Sequence, residues 1–220
     1  MSQIEIIVEW ACLGVGLLFF KRLTPLSMRL IVGLLLVTVI NETWVAPHVH
    51  FYPYYTKNTS YNIFSLLDMG TWLYFFYTLF KGWGRRVIVG LAVLVYGYSL
   101  LELCAAGGWT RFHTDSFRVY DLVIIGCACA YLFQIARMEY HRTWTDPYFW
   151  ICSALILFHS IFFLNLTTMR ESTYWLFREA GDIFHLLQGT ANILYYLLIS
   201  VAFVLCSNYK RTSGTVYLRP

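Results

Sequence analysis

Charged residues are scarce in this sequence. They make up 13% of the 220 residues, against 59% hydrophobic residues, whereas soluble domains carry about 25% charged residues. The internal prolines, Pro25, Pro47, Pro53 and Pro147, stand at the ends of apolar stretches, so they leave those stretches uninterrupted. This composition excludes a soluble globular domain and indicates an integral membrane protein, whose partner is membrane lipid.

Several motifs that would assign a chemistry are also missing. The six cysteines show no zinc-binding spacing, and the chain has no phosphate-binding Gly loop and no motif for a serine or cysteine nucleophile. A retinal Schiff base needs a lysine in the middle of a helix. The lysines all lie in loops or at the ends of stretches: Lys21, Lys57, Lys81 and Lys210. The sequence therefore predicts no retinal cofactor.

Seven apolar windows remain, each close to the roughly 20 residues that cross a hydrocarbon core of about 30 Å. In lipid the backbone must satisfy its own hydrogen bonds, which favours helices for windows of this length. We therefore predict an all-α polytopic protein, a single bundle of seven transmembrane helices over residues 1–206 with a short basic tail at 207–220. The windows are approximately 4–20, 26–46, 61–80, 86–106, 117–137, 147–167 and 181–206.

The basic residues predict the orientation, because Lys and Arg favour cytoplasmic connections. Eleven of them fall around alternate connections and in the tail, and five fall on the other side. This asymmetry places the N-terminus outside and the C-terminus in the cytoplasm. The net charge of +4 is then explained by topology, and nucleic-acid binding is not predicted. The N-terminus lacks a basic region and a cleavage site, so we expect the first window to be retained as a helix.

With this orientation, the carboxylates and imidazoles inside the windows fall in the outer leaflet. Helical spacing places Asp182, His185, Asn192 and other polar residues on one face of the seventh helix, and Asp68 on a polar face of the third. A charge facing lipid at mid-depth costs about 2.5 to 3.5 kcal/mol, so we expect these faces to converge on an outer pocket. The candidate pocket residues are Asp68, Glu102, Asp182, His159 and His185, with Glu42, Asn41, Asp121 and Asn192 behind them.

Two simpler interpretations compete with a shared pocket. Glu9, Glu42 and Asp121 are close enough to helix ends to extend to the headgroups. Asp68 and Glu102, like Asp182, could instead form separate structural links between helices. The sequence alone leaves these alternatives open.

A pocket with so many carboxylates needs positive charge or bound protons to balance it. A metal, an organic cation, loop arginines or protons could each supply the balance. For a metal, zinc or another divalent cation, the candidate ligands are His159, His185 and Asp182, with water in an open position. However, Asp182 and His185 form only a D-x-x-H pair, and the H-x-x-x-H pair of the seven-helix zinc amidohydrolases is absent.

The last two windows resemble a known group of proteins. The segments "DPYFWICSALILFHSIFFLNL" and "GTANILYYLLISVAFVLC", with Asp146, Pro147, Trp150, Asn192 and Tyr195, are similar to the closing region of small seven-helix inner-membrane proteins of Bacteroidota. Those proteins are often encoded beside sensor histidine kinases. The resemblance implies a bacterial inner membrane and an association with signalling, and it assigns no site residues.

A one-sided pocket above an apolar inner half is suited to a receptor or sensor. We therefore expect a non-enzymatic, receptor-like protein with a periplasmic pocket. The short cytoplasmic connections and the tail leave no room for an output domain, so a sensor would need a partner such as a sensor kinase. The alternatives are a cation- or proton-coupled transporter of small solutes and a metal-dependent intramembrane hydrolase.

Overall fold

A computed structural model describes residues 3–45, 57–105, 114–137, 143–171 and 178–212. These residues form seven α-helices and contain no strand, which confirms the all-α class for the described part of the chain. Each helix coincides with one of the apolar windows. The helices are α1 (Gln3–Phe19), α2 (Leu26–Ile40), α3 (Lys57–Leu79), α4 (Trp83–Ala105), α5 (Thr114–Arg137), α6 (Pro147–Glu171) and α7 (Arg178–Thr212).

Successive helices pack side by side, and α7 packs back against α1. In addition, α3 contacts α5 directly. This contact leaves α4 outside, resting on α3 and α5. The bundle is therefore a ring of six helices, α1, α2, α3, α5, α6 and α7, with α4 on its outer surface.

The outer surface of the bundle is apolar. Leu18, Val93, Leu101 and Leu186 are strongly exposed, which a helix tolerates where lipid surrounds it. Within the described residues, five helices contain segments long and apolar enough to cross a membrane: Leu26–Trp44, Trp83–Cys104, Thr114–Arg137, Pro147–Thr167 and Phe184–Ser207. These segments support an integral membrane protein.

The other two helices differ from these five for identifiable reasons. Helix α1 has 17 described residues, which corresponds to about 26 Å. Helix α3 has 23 residues, but its first half is polar. Thr59, Ser60, Asn62 and Ser65 of that half are buried, so the polar face of α3 is turned towards neighbouring helices. Membrane crossing by all seven helices stays a prediction.

One end of the bundle is basic, and its arginines are held in place by local contacts. The Nε of Arg29 donates to the carbonyl of Leu23 at 2.7 Å, and that of Arg85 donates to the carbonyl of Phe80 at 3.0 Å. The guanidinium of Arg137 lies 4.3 Å from the ring centre of Phe133. We call this the basic end; it is the end that the charge asymmetry predicts to be cytoplasmic.

Helix α6 begins at the basic end with a cap. Pro147 occupies the first helical position, where its missing N–H costs nothing. The carboxylate of Asp146 accepts a hydrogen bond of 2.9 Å from the backbone N–H of Tyr148, as an N-cap residue does. Burial raises the pKa of Asp146, while the bond from Tyr148 acts in the opposite direction.

The half of the bundle nearer the basic end is tightly packed. A Cβ added at Gly16 would lie 3.0 Å from a methyl of Val32 and 3.1 Å from the ring of Phe203, so α1, α2 and α7 approach closely there. Phe75, Phe76 and other large apolar side chains nearby are fully buried. This packed half forms an apolar floor beneath the opposite half.

Candidate functional site

A cavity of about 370 Å³ opens in the half of the ring away from the basic end. Its lining comes mainly from the first halves of α1, α3, α5 and α7, the second half of α2 and the middle of α6. Because helices that are consecutive in the chain run in opposite directions, these segments meet at one level. Described residues of α4 contribute nothing to the lining, in agreement with the outer position of that helix.

The deepest polar contact in the cavity joins Asp121 of α5 to His159 of α6. The Nδ1 of His159 lies 2.7 Å from Oδ1 of Asp121, and the two residues are 3% and 0% exposed. With a proton on Nδ1, the imidazole donates to the carboxylate. The second oxygen of Asp121, Oδ2, is buried and has no hydrogen-bond partner among the described residues.

Asp68 of α3 lies within electrostatic range of this pair. Its two oxygens are both occupied: the hydroxyl of Tyr120 donates to Oδ2 at 2.7 Å, and the indole N–H of Trp72 donates to Oδ1 at 3.0 Å. Trp72 is one helical turn after Asp68, so its indole reaches back along the same face. Asp68 is therefore a structurally satisfied carboxylate that fixes two aromatic walls.

Glu9 of α1 is the least satisfied acid of the cavity. It is 1% exposed, and neither of its carboxylate oxygens has a hydrogen-bond partner among the described residues. Asn192 and Tyr196 of α7 lie close enough for their donors to act on this carboxylate, although neither has the geometry of a full hydrogen bond to it. Extension to the headgroups is therefore excluded for Glu9 in this structure, and the burial of Asp121 excludes it there as well.

Glu42 and Glu5 lie nearest the helix ends that border the cavity. Glu42 belongs to a π-helical turn, Asn41–Val45, that continues α2, and it accepts a hydrogen bond of 3.0 Å from the hydroxyl of Tyr61. Glu5 packs against α7: a Cβ at Gly189 would lie 2.9 Å from Oε1 of Glu5. The glycine at position 189 thus makes room for a carboxylate from α1.

Aromatic rings form most of the remaining wall. The rings of Phe158 and Tyr195 have centres 4.9 Å apart, and Tyr195 is 5.1 Å from Tyr196. Phe117 and Phe162 meet edge to face at 6.0 Å. Such ring pairs hold the wall in a fixed shape, because edge-to-face and tilted arrangements are favoured by the ring quadrupoles.

The charge of the lining is one-sided. Glu5, Glu9, Glu42, Asp68 and Asp121 supply carboxylates, and no lysine or arginine lies among the described lining residues. The arginine nearest in sequence, Arg118 on α5, pairs instead with Asp115 at 3.0 Å and donates to the carbonyl of Leu166. Among the described lining residues, the imidazole of His159 is therefore the only basic side chain, and it bonds to Asp121.

Of the residues proposed from sequence, the cavity brings together Asp68, Asp121, His159, Glu42 and Asn192. Their roles as ligand-binding residues stay predictions. The common depth of these residues is explained by the antiparallel order of the helices, and their convergence by the ring arrangement.

The structure places three other candidates elsewhere. Glu102 accepts hydrogen bonds from the backbone N–H groups of Asp115, at 3.4 Å, and Ser116, at 2.8 Å. It therefore caps α5 from α4, the helix that stands outside the ring. Asn41 lies in a shallow side groove and accepts a hydrogen bond from the hydroxyl of Ser60. His185 is exposed and is not part of the lining.

The proposed metal site is not supported by this arrangement. Because His185 is exposed, it does not join His159, and the side chain of Asp182 lies outside the described residues. Within the described part of the chain, no group of three or more His, Cys, Asp and Glu side chains is arranged to hold a metal ion. Asp68, Asp121 and His159 share the cavity. However, Asp68 accepts hydrogen bonds from Tyr120 and Trp72, and Asp121 is bonded to His159.

Sequence reasoning missed the importance of Glu9 and of the aromatic wall. Extension of Glu9 to the headgroups was left open because Glu9 lies near a helix end, yet α1 is inserted between α2 and α7. The signal that could have identified it is spacing: Glu5, Glu9 and Cys12 follow one helical face. The aromatic residues gave no comparable signal, since a sequence with 17 Tyr and 17 Phe has them on every face.

No protein-family model, curated protein or solved structure matches this chain.

Proposed function

We propose that this protein is a receptor-like membrane protein that binds a small ligand in the outer cavity and signals through a partner. The observation that carries the proposal is a cavity formed by six helices and closed by a packed apolar floor. A volume of about 370 Å³ lies within the range of roughly 300–1,000 Å³ typical of small-molecule sites. A ligand that contacts six helices can favour one packing of those helices over another, which is what signalling requires.

The predicted orientation places the mouth of the cavity on the periplasmic side of a bacterial inner membrane. The basic end then faces the cytoplasm, where the partner would be contacted. A sensor kinase is the partner that the resemblance of the last two helices suggests. The packed floor favours a receptor over a carrier, because a carrier must also open the cavity towards the other side.

The proposal can be tested by comparing two threonine substitutions. Thr38→Trp fills the cavity, whereas Thr190→Trp adds the same bulk to an exposed position. The two threonines are matched, since each donates to the carbonyl four residues earlier, at 2.9 and 2.8 Å. To detect the partner in native membranes, a photo-crosslinking residue replaces Trp83, which is exposed near the basic end.

We expect a crosslink to a protein with a cytoplasmic output domain, and a changed yield in Thr38→Trp but not in Thr190→Trp. A receptor role would be contradicted by crosslinks to lipid alone, or by a crosslinking yield that is the same in Thr38→Trp as in the wild-type protein.

Transport is the second candidate, favoured by the buried and partly unsatisfied carboxylates of Glu9 and Asp121. It requires uptake of a solute or cation by proteoliposomes that contain the protein. Uptake that is lost in Asp68→Asn and Asp121→Asn would replace the receptor proposal with a carrier.

A further inference from the structure

We infer that the ligand of the cavity is a small organic ammonium ion with an apolar body, whose charged nitrogen is held by Glu9. This inference rests on the proposed function, since it assumes that the cavity is a ligand site. It is carried by three features of the described residues: unpartnered acceptors, aromatic walls and the lack of a lysine or arginine in the lining.

The unpartnered polar atoms of the lining are all acceptors. They are both carboxylate oxygens of Glu9, Oδ2 of Asp121 and Oε1 of Gln188, each buried without a hydrogen-bond partner among the described residues. Buried acceptors of this kind are costly unless a donor reaches them. A ligand that satisfies them must bring N–H groups, and a carboxylate favours a positively charged donor.

Among the fully buried acids of the described lining, Glu9 is the one whose carboxylate oxygens accept no hydrogen bond. Asp121 pairs with His159, and Asp68 is stabilised by two aromatic donors. Glu42, closer to the helix ends, accepts from Tyr61. An ammonium group placed at Glu9 therefore supplies the donors that this carboxylate lacks.

The surrounding rings suit a cation and an apolar body. Tyr195 and Tyr196 are buried on the α7 face that also carries Asn192, next to Glu9, and the faces of such rings attract cations within about 6 Å. Farther along the cavity, Phe117 and Phe162 supply an apolar wall. An aromatic enclosure around buried carboxylates is a typical arrangement for recognising an organic ammonium group.

The same features disfavour two other ligand classes. An inorganic divalent cation needs several oxygen or nitrogen ligands converging at about 2.0–2.6 Å, and no such group exists among the described side chains. An anion would meet the carboxylates of Glu9, Asp68 and Asp121 with no described lysine or arginine in the lining to attract it.

The test uses the full-length protein in lipid nanodiscs and three probes of similar shape but different charge. These are 2-phenylethylammonium, neutral 2-phenylethanol and anionic 3-phenylpropanoate, each titrated by calorimetry. We expect the ammonium probe to bind the wild-type protein about 10- to 100-fold more tightly than the alcohol, as a hydrogen bond to a charged group implies. We expect no binding of the anion.

Glu9→Gln should lower the affinity for the ammonium probe by a similar factor and leave the affinity for the alcohol unchanged. The matched control is Glu102→Gln, which lies on α4 outside the cavity and keeps an oxygen to accept from Ser116. This control should bind like the wild type. Thermal unfolding of each variant shows whether it is folded, and the comparison of probes on the wild-type protein does not depend on any variant.

The inference is overturned if the alcohol or the anion binds the wild-type protein as tightly as the ammonium probe, if Glu9→Gln has no effect, or if the ammonium probe does not bind at millimolar concentration. These results leave the receptor proposal to be decided by the crosslinking experiment. Conversely, a cation that binds through Glu9 without any effect of Thr38→Trp on crosslinking would support the ligand class and refute the receptor role.

Discussion

Replacing Glu9 with leucine should stabilise the protein in the absence of ligand. The carboxylate of Glu9 is 1% exposed and has no hydrogen-bond partner among the described residues, and an unsatisfied buried polar group costs about 1–3 kcal/mol. Leucine has a similar size and removes this cost. For a chain of 220 residues, a gain of 1 kcal/mol raises Tm by roughly 2–4 °C, so we expect an increase of about 2–12 °C.

Glu42→Leu provides the contrast. Glu42 accepts a hydrogen bond from Tyr61 at 3.0 Å, so the same chemical change breaks an existing bond and should lower stability by about 0.5–1.5 kcal/mol. Both variants can be compared with the wild-type protein by thermal unfolding in one detergent, followed by circular dichroism at helical wavelengths.

The opposite signs are the critical result. If Glu9→Leu is no more stable than the wild type, the carboxylate of Glu9 is already satisfied in the empty protein, by water or by its own proton, and the argument for an unpaired acceptor fails. If Glu9→Leu is more stable and also fails to bind the ammonium probe, stability and ligand binding are in conflict at this position, as is common at functional sites.

Three further predictions follow from other contacts. Asp121→Leu should lower stability by about 1–3 kcal/mol, because it leaves the buried imidazole N–H of His159 without its acceptor. A double-mutant cycle with His159→Leu should give a coupling of about 0.5–3 kcal/mol, and additive effects would contradict a direct pair. Glu102→Ala should lower Tm by about 2–4 °C through loss of the α5 cap, at roughly 1 kcal/mol, and a change in probe affinity would contradict its position outside the cavity. Burial raises the pKa of Asp146 in the folded protein. The stabilisation by the protonated carboxyl is therefore present below the ordinary pKa of aspartate and is lost as the pH rises through the raised value. The Tm of Asp146→Asn should fall less steeply over this pH interval than that of the wild type, and identical profiles would refute the raised pKa.

The helices were predictable because each depends on a local property of the chain. The windows that include Leu26–Ile40 and Pro147–Glu171 are apolar over a sufficient length, and prolines mark where these helices begin. Boundaries were less accurate where polar residues extend a helix, as at Lys57–Leu79, which begins before the predicted window. There the polar side chains are buried against other helices, which no local pattern reveals.

The sequence predicted the depth of the site along the helices but not which residues line it. Asp68 and Glu102 both lie in the outer parts of their predicted helices, and the sequence treats them alike. The direct contact between α3 and α5 separates them: it turns Asp68 into the cavity and leaves Glu102 to cap α5 from outside. In the same way, His159 meets Asp121 whereas His185 is exposed, although both are histidines of the outer half.

The sequence by itself determined that this is a helical membrane protein with most of its acids near one end and most of its basic residues near the other. Hydropathy, helical period and charge distribution are properties of the chain alone. Only the tertiary structure decided which acids share a cavity, which are paired and which is left without a partner. Those properties depend on the rotation and neighbours of each helix, and these are set by side-chain packing between segments far apart in the chain. Glu9 shows the difference most clearly: from sequence it was one of several acids near a helix end, and packing between α2 and α7 made it a buried carboxylate facing an aromatic cavity.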